Sequence, residues 1–385
     1  MIKYPTSTSV LSPASLPDNE DILRDILLRL PPLPSSLLRA SLVSKLWCRI
    51  ISDPDFRRRF RAHHYKTPPL LGFFFQDFND GLQSRQYVFI PTLGAPDGLQ
   101  SRQYVFTPTL GAPDRIPPAC FSCHSKGSLL GFRHGLALLK CGPKAIVWDP
   151  ITNYQCSVDI PPEFNINRHV RIYFGAVTRD DSAGPVAFKL VMVFYDIFER
   201  VLCASVYESE LGKWGEMIST HTFSDIFKPS VMVGNKLYFL IRRRSGGFLQ
   251  FDLDSQSMAV IQMSEDIPIP EGSLVQALRT EDGGLGFAVV SKHRMQLWGK
   301  TTISGGNVVR GELQKKVELD QLLSLRPSTN KRKSSVIGYD EVSNTIFLWT
   351  TMGVFMIQLE SMKFTKVAED KCIRGYFPFA SFYPC

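Results

Sequence analysis

The hydrophobic periodicity of this chain changes once, close to residue 67, and that switch limits the folds open to it. From Pro17 to about His64 apolar residues recur at helical spacing. From Pro68 onward they fall in short β-branched and aromatic runs separated by Gly, Asp, Asn and Pro. A uniform bundle and a uniform sheet are both excluded. The 385 residues allow a small helical module followed by a large all-β one, an α+β multidomain chain.

In the helical part Asp18 stands at an N-cap position, with Asp21 three residues on. Ile22, Leu23, Ile26, Leu27 and Leu30 form one apolar stripe until Pro31-Pro32 stops the helix. A second helix is expected from Ser35 or Ser36, carrying Leu38, Leu42, Leu46 and Ile50 every four residues, with Val43 and Trp47 alongside. Asp53-Pro54 ends it and opens a third, in which Phe56 and Phe60 lie one turn apart among Arg57, Arg58, Arg59 and Arg61. Three short helices make a core too small to hide all of these apolar positions. A surface completed by another polypeptide is expected.

Beyond residue 67 the candidate strands are 70–75, 129–132 with 136–139, 145–148, 171–177, 188–195, 201–207, 231–233 with 236–240, 248–251, 285–290, 295–298, 345–350 and 354–357. Gly234-Asn235 and residues 340–344 are hairpin signals. Turns after an outgoing strand begin at Asp149, Glu208, Asp252, Gly299 and Gln358, at intervals of 59, 44, 47 and 59 residues. Four-stranded blades take roughly 40–50 residues each, so this half reads as a β-propeller of about six blades, with seven also compatible. Within it, Asp80 to Pro96 is repeated as Asp97 to Pro113 with one change, Ile90 against Thr107. A 17-residue period is too short for a blade. One copy is expected to supply a strand, through 87–89 or 104–106, and the other to project as a loop.

The run Leu16-Pro17-Asp18, the helix from Ile22 to Pro31, the segment Ser41-Leu42-Val43-Ser44-Lys45-Leu46-Trp47 and the stop Asp53-Pro54-Asp55-Phe56 together resemble an F-box, with only the acidic insertion Asn19-Glu20-Asp21 slightly long. The remainder resembles the F-box-associated propeller of plant F-box proteins, through Val147-Trp148-Asp149-Pro150-Ile151-Thr152, Phe188-Lys189-Leu190-Val191, Val206-Tyr207-Glu208-Ser209 with Trp214, Phe251-Asp252-Leu253, Asp282-Gly283-Gly284-Leu285-Gly286 and Phe379-Ala380-Ser381-Phe382-Tyr383.

Residues 1–16, rich in Ser, Thr and Pro, read as a flexible leader; the resemblance implies an F-box (17–66) and a propeller (67–385). It implies a non-catalytic substrate receptor of an SCF-type ubiquitin ligase, with the F-box on a Skp-type adaptor and, through it, the cullin and RING subunits. The residues it assigns to the adaptor are Leu16, Pro17, Ile22, Leu23, Ile26, Leu27, Leu30, Pro31, Leu42, Val43 and Trp47, some of which must instead hold the helical core. The propeller would hold the protein marked for degradation. Arg242, Arg243 and Arg244, after a strand, are candidates for a rim that meets an acidic substrate.

Charge and motifs narrow the alternatives. Residues 1–66 hold eleven Lys/Arg against six Asp/Glu, a surplus of five out of the chain's eight, which leaves three for the large β part. A nucleic-acid or anionic-membrane reader needs more concentrated positive charge. No apolar run reaches the ~18 residues of a membrane span. Eight cysteines without regular spacing suit a reducing compartment, cytosol or nucleus. Cys120-Phe121-Ser122-Cys123-His124 has the spacing of haem attachment, but is expected to be buried small residues entering a strand. No second close cysteine pair completes a zinc site, so neither metal nor cofactor is expected. The rival reading is a hydrolase-like β-propeller enzyme with an appended helical module, which would need His, Asp or Glu converging on the channel.

Overall fold

The structure, a computed structural model, describes residues 20–64, 68–77, 103–121, 127–162, 171–179, 187–196, 199–221, 229–241, 246–270, 273–291, 294–304, 307–323, 334–350, 352–369 and 374–382. The helices up to His64 belong to one compact unit and the strands to another, Pro69–Ser381.

The described residues of the first unit form four helices, not the three expected: α1 (Glu20–Leu28), α2 (Pro34–Ser41), α3 (Lys45–Ser52) and α4 (Pro54–His64). The predicted second helix is two. Ser44 is extended, at φ −159° and ψ 165°, and its side chain accepts the Trp47 amide at 3.2 Å, so it caps a new helix where a four-residue leucine repeat suggested continuity. Pro34 supplies the first turn of α2, where the absence of an N–H costs nothing. The α3–α4 junction is as expected, with Asp53 Oδ1 accepting the Asp55 amide at 3.0 Å ahead of the Pro54 start. Leu23, Leu27, Leu28, Leu37, Ala40, Ile50, Ile51, Phe56 and Phe60 form the core. Arg24 reaches Glu20 at 2.9 Å and Asp53 at 3.0 Å, tying α1 to the α3–α4 junction.

The second unit begins with β1 (Leu70–Asp77) and β2 (Gln103–Pro108), then runs through up-and-down antiparallel groups. The first is β3 (Ser128–Arg133), β4 (Leu136–Cys141), β5 (Lys144–Asp149) and β6 (Tyr154–Asp159). The next is β7 (Arg171–Arg179), β8 (Phe188–Asp196) and β9 (Val201–Glu208), with β10 (Lys213–Trp214) and β11 (Ile218–His221) both on β9. There follow β12 (Val231–Val233), β13 (Lys236–Leu240), β14 (Gly247–Asp252) and β15 (Ser257–Met263), and then β16 (Leu274–Arg279), β17 (Leu285–Ser291), β18 (Arg294–Ser304) and β19 (Val308–Glu318). After the short α5 (Leu319–Leu322) come β20 (Ser335–Asp340), β21 (Thr345–Thr350), β22 (Gly353–Gln358) and β23 (Phe364–Ala368). The last strand, β24 (Arg374–Ala380), pairs with β1 in the register Phe74↔Phe377 and closes the ring within one sheet, β2-β1-β24.

Apolar side chains fill the space between successive sheets. Leu138, Val147, Leu190 and Met192 join the β3–β6 sheet to the β7–β9 strands. Val191, Leu202, Phe239 and Leu249 continue to β13 and β14. Phe248, Ile261 and Phe287 link the next pair of groups, and Met295, Ile346 and Ile357 the pair after that. Phe73, Phe347 and Tyr376 pack the β20–β23 sheet on the closing strands, and Phe74 lies 4.9 Å from Phe132 and 5.7 Å from Phe379 to complete the circuit. This is a propeller-like arrangement, in which each sheet buries both faces against its neighbours.

The second copy of the duplicated segment supplies β2, through Tyr104–Phe106 as one of the two expected options; residues 80–102 lie outside the described residues. Two expectations are corrected. The turn predicted at Gly299 is absent, because β18 runs through it to Ser304, with register shifts between Leu297 and Trp298 and again beyond Gly299. Cys120 is exposed in a 3-10 turn (Pro118–Cys120) rather than buried at a strand entrance, because Pro117 and Pro118 bend the chain there.

Candidate interaction surfaces

The helical unit sorts its predicted contact residues into two sets. Leu23 and Leu27, assigned to the adaptor by sequence, are 1% and 0% exposed and belong to the core. The physical reason is the phase of α1: positions 23, 24, 27 and 28 turn toward the core, which leaves Ile22 and Ile26 outward at 49% and 43% exposure. Leu30 and Trp47 pack partly against the core, and Pro31 is exposed. Leu38, Leu42 and Val43 are also outward, at 53%, 79% and 52% exposure. Leu42 and Val43 owe this to the α2–α3 break, which lifts them out of the continuous stripe expected for one helix. Leu38 is a surface position that the four-residue repeat concealed. Leu16 and Pro17 lie outside the described residues, as do Arg242, Arg243 and Arg244.

The other distinctive site lies at the channel, on the innermost strands. A cavity of about 80 Å³ is lined by parts of β3, β16, β20 and β24 and by the approach to β12. At its edge the Arg133 guanidinium, almost fully buried, meets Glu341 in a two-pronged pair, Nε to Oε1 at 2.6 Å and Nη2 to Oε2 at 3.1 Å. Arg133 Nη2 also donates to the Ser230 carbonyl at 2.9 Å, and Glu341 Oε2 accepts the Met232 amide at 2.9 Å. One ion pair thus ties together the β3–β6, β12–β15 and β20–β23 strands.

Electrostatics at this point follow from burial and partners. Burial alone would raise the Glu341 carboxyl, but the Arg133 charge and hydrogen bonds, with the Met232 amide, hold it below the usual carboxylate range. Its neighbour Asp340 goes the other way: burial pushes it up, and hydrogen bonds from the Ser343 amide at 2.8 Å and hydroxyl at 2.6 Å only partly compensate. Desolvation also pushes up the partly buried Tyr339 phenol, while its oxygen accepts the Arg279 amide at 2.9 Å and donates to Asn344 at 3.0 Å. Both channel carboxylates are therefore engaged in holding strands and turns. Among the described residues no group of three or more His, Cys, Asp or Glu is placed to hold a metal ion. The sequence reading missed the Arg133–Glu341 pair; its trace was a lone arginine ending an apolar strand.

The helical unit with its exposed apolar strips, followed by the ring of sheets, defines a class: an F-box-like domain joined to a β-propeller. The chain belongs to the family described as F-box protein AT5G49610-like, beta-propeller, whose model matches residues 136–385. Residues 14–63 match the F-box-like family. Among curated relatives, F-box protein At5g03970 of Arabidopsis thaliana is 24% identical over 383 residues, covering 92% of this chain and 84% of that one. Putative F-box protein At3g47150 of the same plant is 47% identical over 75 residues, 19% of each chain. Among solved structures, the Dos1 propeller aligns with 71% of this chain and 67% of its own, at 8% identity and a TM-score of 0.37, too loose a likeness to argue from.

Proposed function

We propose that this protein is the substrate-recognition subunit of an SCF-type cullin–RING ubiquitin ligase. The F-box (17–66, after a leader 1–16) docks on a Skp-type adaptor and through it on the cullin and RING subunits. The propeller (67–385) holds the protein to be ubiquitinated. We read the described strands as about six blades, β2-β1-β24, β3–β6, β7–β11, β12–β15, β16–β19 and β20–β23, with the fourth and fifth joined edge to edge and seven also compatible. The chain supplies no catalytic group; it raises the effective concentration of a substrate lysine near the charged conjugating enzyme. The arginine run 242–244 is assigned to the substrate rim, and the reducing environment that suits the cysteines is cytosol or nucleus.

The observation that carries this reading is the exposure of Ile22, Ile26, Leu38, Leu42 and Val43 on a unit of four short helices whose core is already complete without them. Apolar side chains left on a small domain mark a protein interface. The test is co-expression of the full chain with a Skp-type adaptor. The wild type is expected to co-purify with it, and Ile26→Asp combined with Val43→Asp to lose it while keeping its folded circular-dichroism spectrum. Undiminished adaptor capture by the folded double variant overturns the proposal.

A further inference from the structure

The long hairpin β18–β19 has one edge that the fold uses for only part of its length. On its inner side β19 pairs with β18 from Ser304↔Val308 to Arg294↔Glu318. On its outer side it pairs only at its start, in parallel with β15, at Gln262↔Val308 and Met263↔Val309. There the Gln262 amide donates to the Asn307 carbonyl and the Ser264 amide to the Val309 carbonyl, both at 2.8 Å. In a strand, alternate residues turn their amide and carbonyl to the same side. The row that begins at Asn307 and Val309 therefore continues at Gly311 and Leu313, where no described strand pairs with it. β15 shows that this edge accepts a parallel strand, and β15 leaves after Met263.

Side chains along the open stretch give it a sign. Arg310, Glu312, Leu313, Gln314, Lys315 and Lys316 are all exposed, three cations against one anion. At 11 residues β19 is also longer than the other outer strands β6, β15 and β23, of six, seven and five. Natural edges are usually kept short. Lysines on an edge discourage pairing with another basic strand and favour an acidic one.

We propose that the outer edge of β19 is a docking site for an extended, acidic segment of the protein substrate, which adds to the sheet in continuation of β15. Backbone hydrogen bonds to Gly311 and Leu313 supply affinity and Arg310, Lys315 and Lys316 supply selectivity for acidic side chains. That the segment comes from the ubiquitination substrate rests on the receptor reading above; the edge and its charge do not.

The experiment is fluorescence anisotropy on the full chain with a capped, labelled peptide of about nine residues that alternates glutamate with valine and threonine. Three comparisons accompany it: the same peptide with lysine for glutamate, the acidic peptide N-methylated at alternate amides, and a Lys315→Glu/Lys316→Glu protein. Saturable binding of the acidic peptide is expected, with at least about a tenfold loss in each comparison. Absence of binding would show that the lysines merely blunt the edge, and overturns the proposal. Equal binding of the N-methylated peptide also overturns it, because charge attraction would then suffice without strand pairing. Adaptor co-purification of the same preparation separates this result from a failure of the receptor reading.

Discussion

Arg133 and Glu341 lie 208 positions apart in the chain and meet at 2.6 Å beside the propeller channel, both withdrawn from solvent. Through Ser230 and Met232 the pair also holds the strands around β12. The ring is thus closed twice: at the rim of the chain by β1 pairing with β24, and at the channel by a charge pair that joins three sheets.

Substitution at that pair is expected to be asymmetric. Arg133→Ala leaves the Glu341 charge buried without its partner, which costs about 3–5 kcal/mol. Arg133→Met with Glu341→Leu removes both charges and should recover much of that loss. Urea unfolding of the two variants checks this, and similar stabilities would mean that the pair is not what holds the sheets together.

The two adjacent carboxyls give opposite pH dependence. Glu341 is held low, so its stabilisation is full above its unfolded value near ~4 and is lost as pH falls through its lower folded value. Asp340 is raised, so its contribution is full below about 4 and is lost as pH rises through its higher folded value. Asp340→Asn should therefore flatten the rise in stability on acidification from neutral pH, as read from urea midpoints across that range. A midpoint profile unchanged by Asp340→Asn would contradict the assigned direction.

Neighbouring residues on α1 should behave differently. Leu27 is fully buried, and Leu27→Ala should cost about 2–5 kcal/mol. Ile26 is 43% exposed, and Ile26→Ala should leave stability nearly unchanged while weakening adaptor capture. Thermal unfolding and adaptor pull-down, measured together, separate the two roles.

Gly72 lies in the closing sheet, where an added Cβ would come within 2.3 Å of the Thr107 carbonyl and 2.4 Å of the Phe106 ring. Gly72→Ala should destabilise the protein by about 1–3 kcal/mol through overpacking. At Gly111 a Cβ would meet nothing within 4 Å, and Gly111→Ala serves as the neutral control. Differential scanning calorimetry of both variants gives the comparison.

Ser44 makes the break that exposes Leu42 and Val43. Ser44→Ala removes the cap on the Trp47 amide and should cost about 0.5–2 kcal/mol, whereas Ser44→Gly should cost only a few tenths. Equal loss in both variants, measured by thermal unfolding, would place the effect outside the cap.

Much of the architecture was readable from local chemistry. The strands found from sequence are those whose apolar residues lie between two sheets, such as β8, β13 and β21. Those missed include β6, β11, β15, β19 and β23 at the outer edge, where alternate residues meet water and the apolar signal thins, and also β16 and β20 at the channel. The turn expected at Gly299 failed for a related reason: glycine there serves a bulge within a long hairpin, and composition does not distinguish a bulge from a turn. In the helices, a regular leucine spacing outvoted one capping serine.

What the sequence alone determined is everything set by neighbours along the chain: the helix-to-strand switch, the proline and aspartate stops, the hairpin turns and the family motifs. The tertiary structure decided which of two adjacent leucine-rich positions faces inward, that the second duplicate copy supplies β2, and that Arg133 meets Glu341. Those outcomes depend on side chains brought together from distant segments, and such contacts leave no periodicity in the chain that makes them.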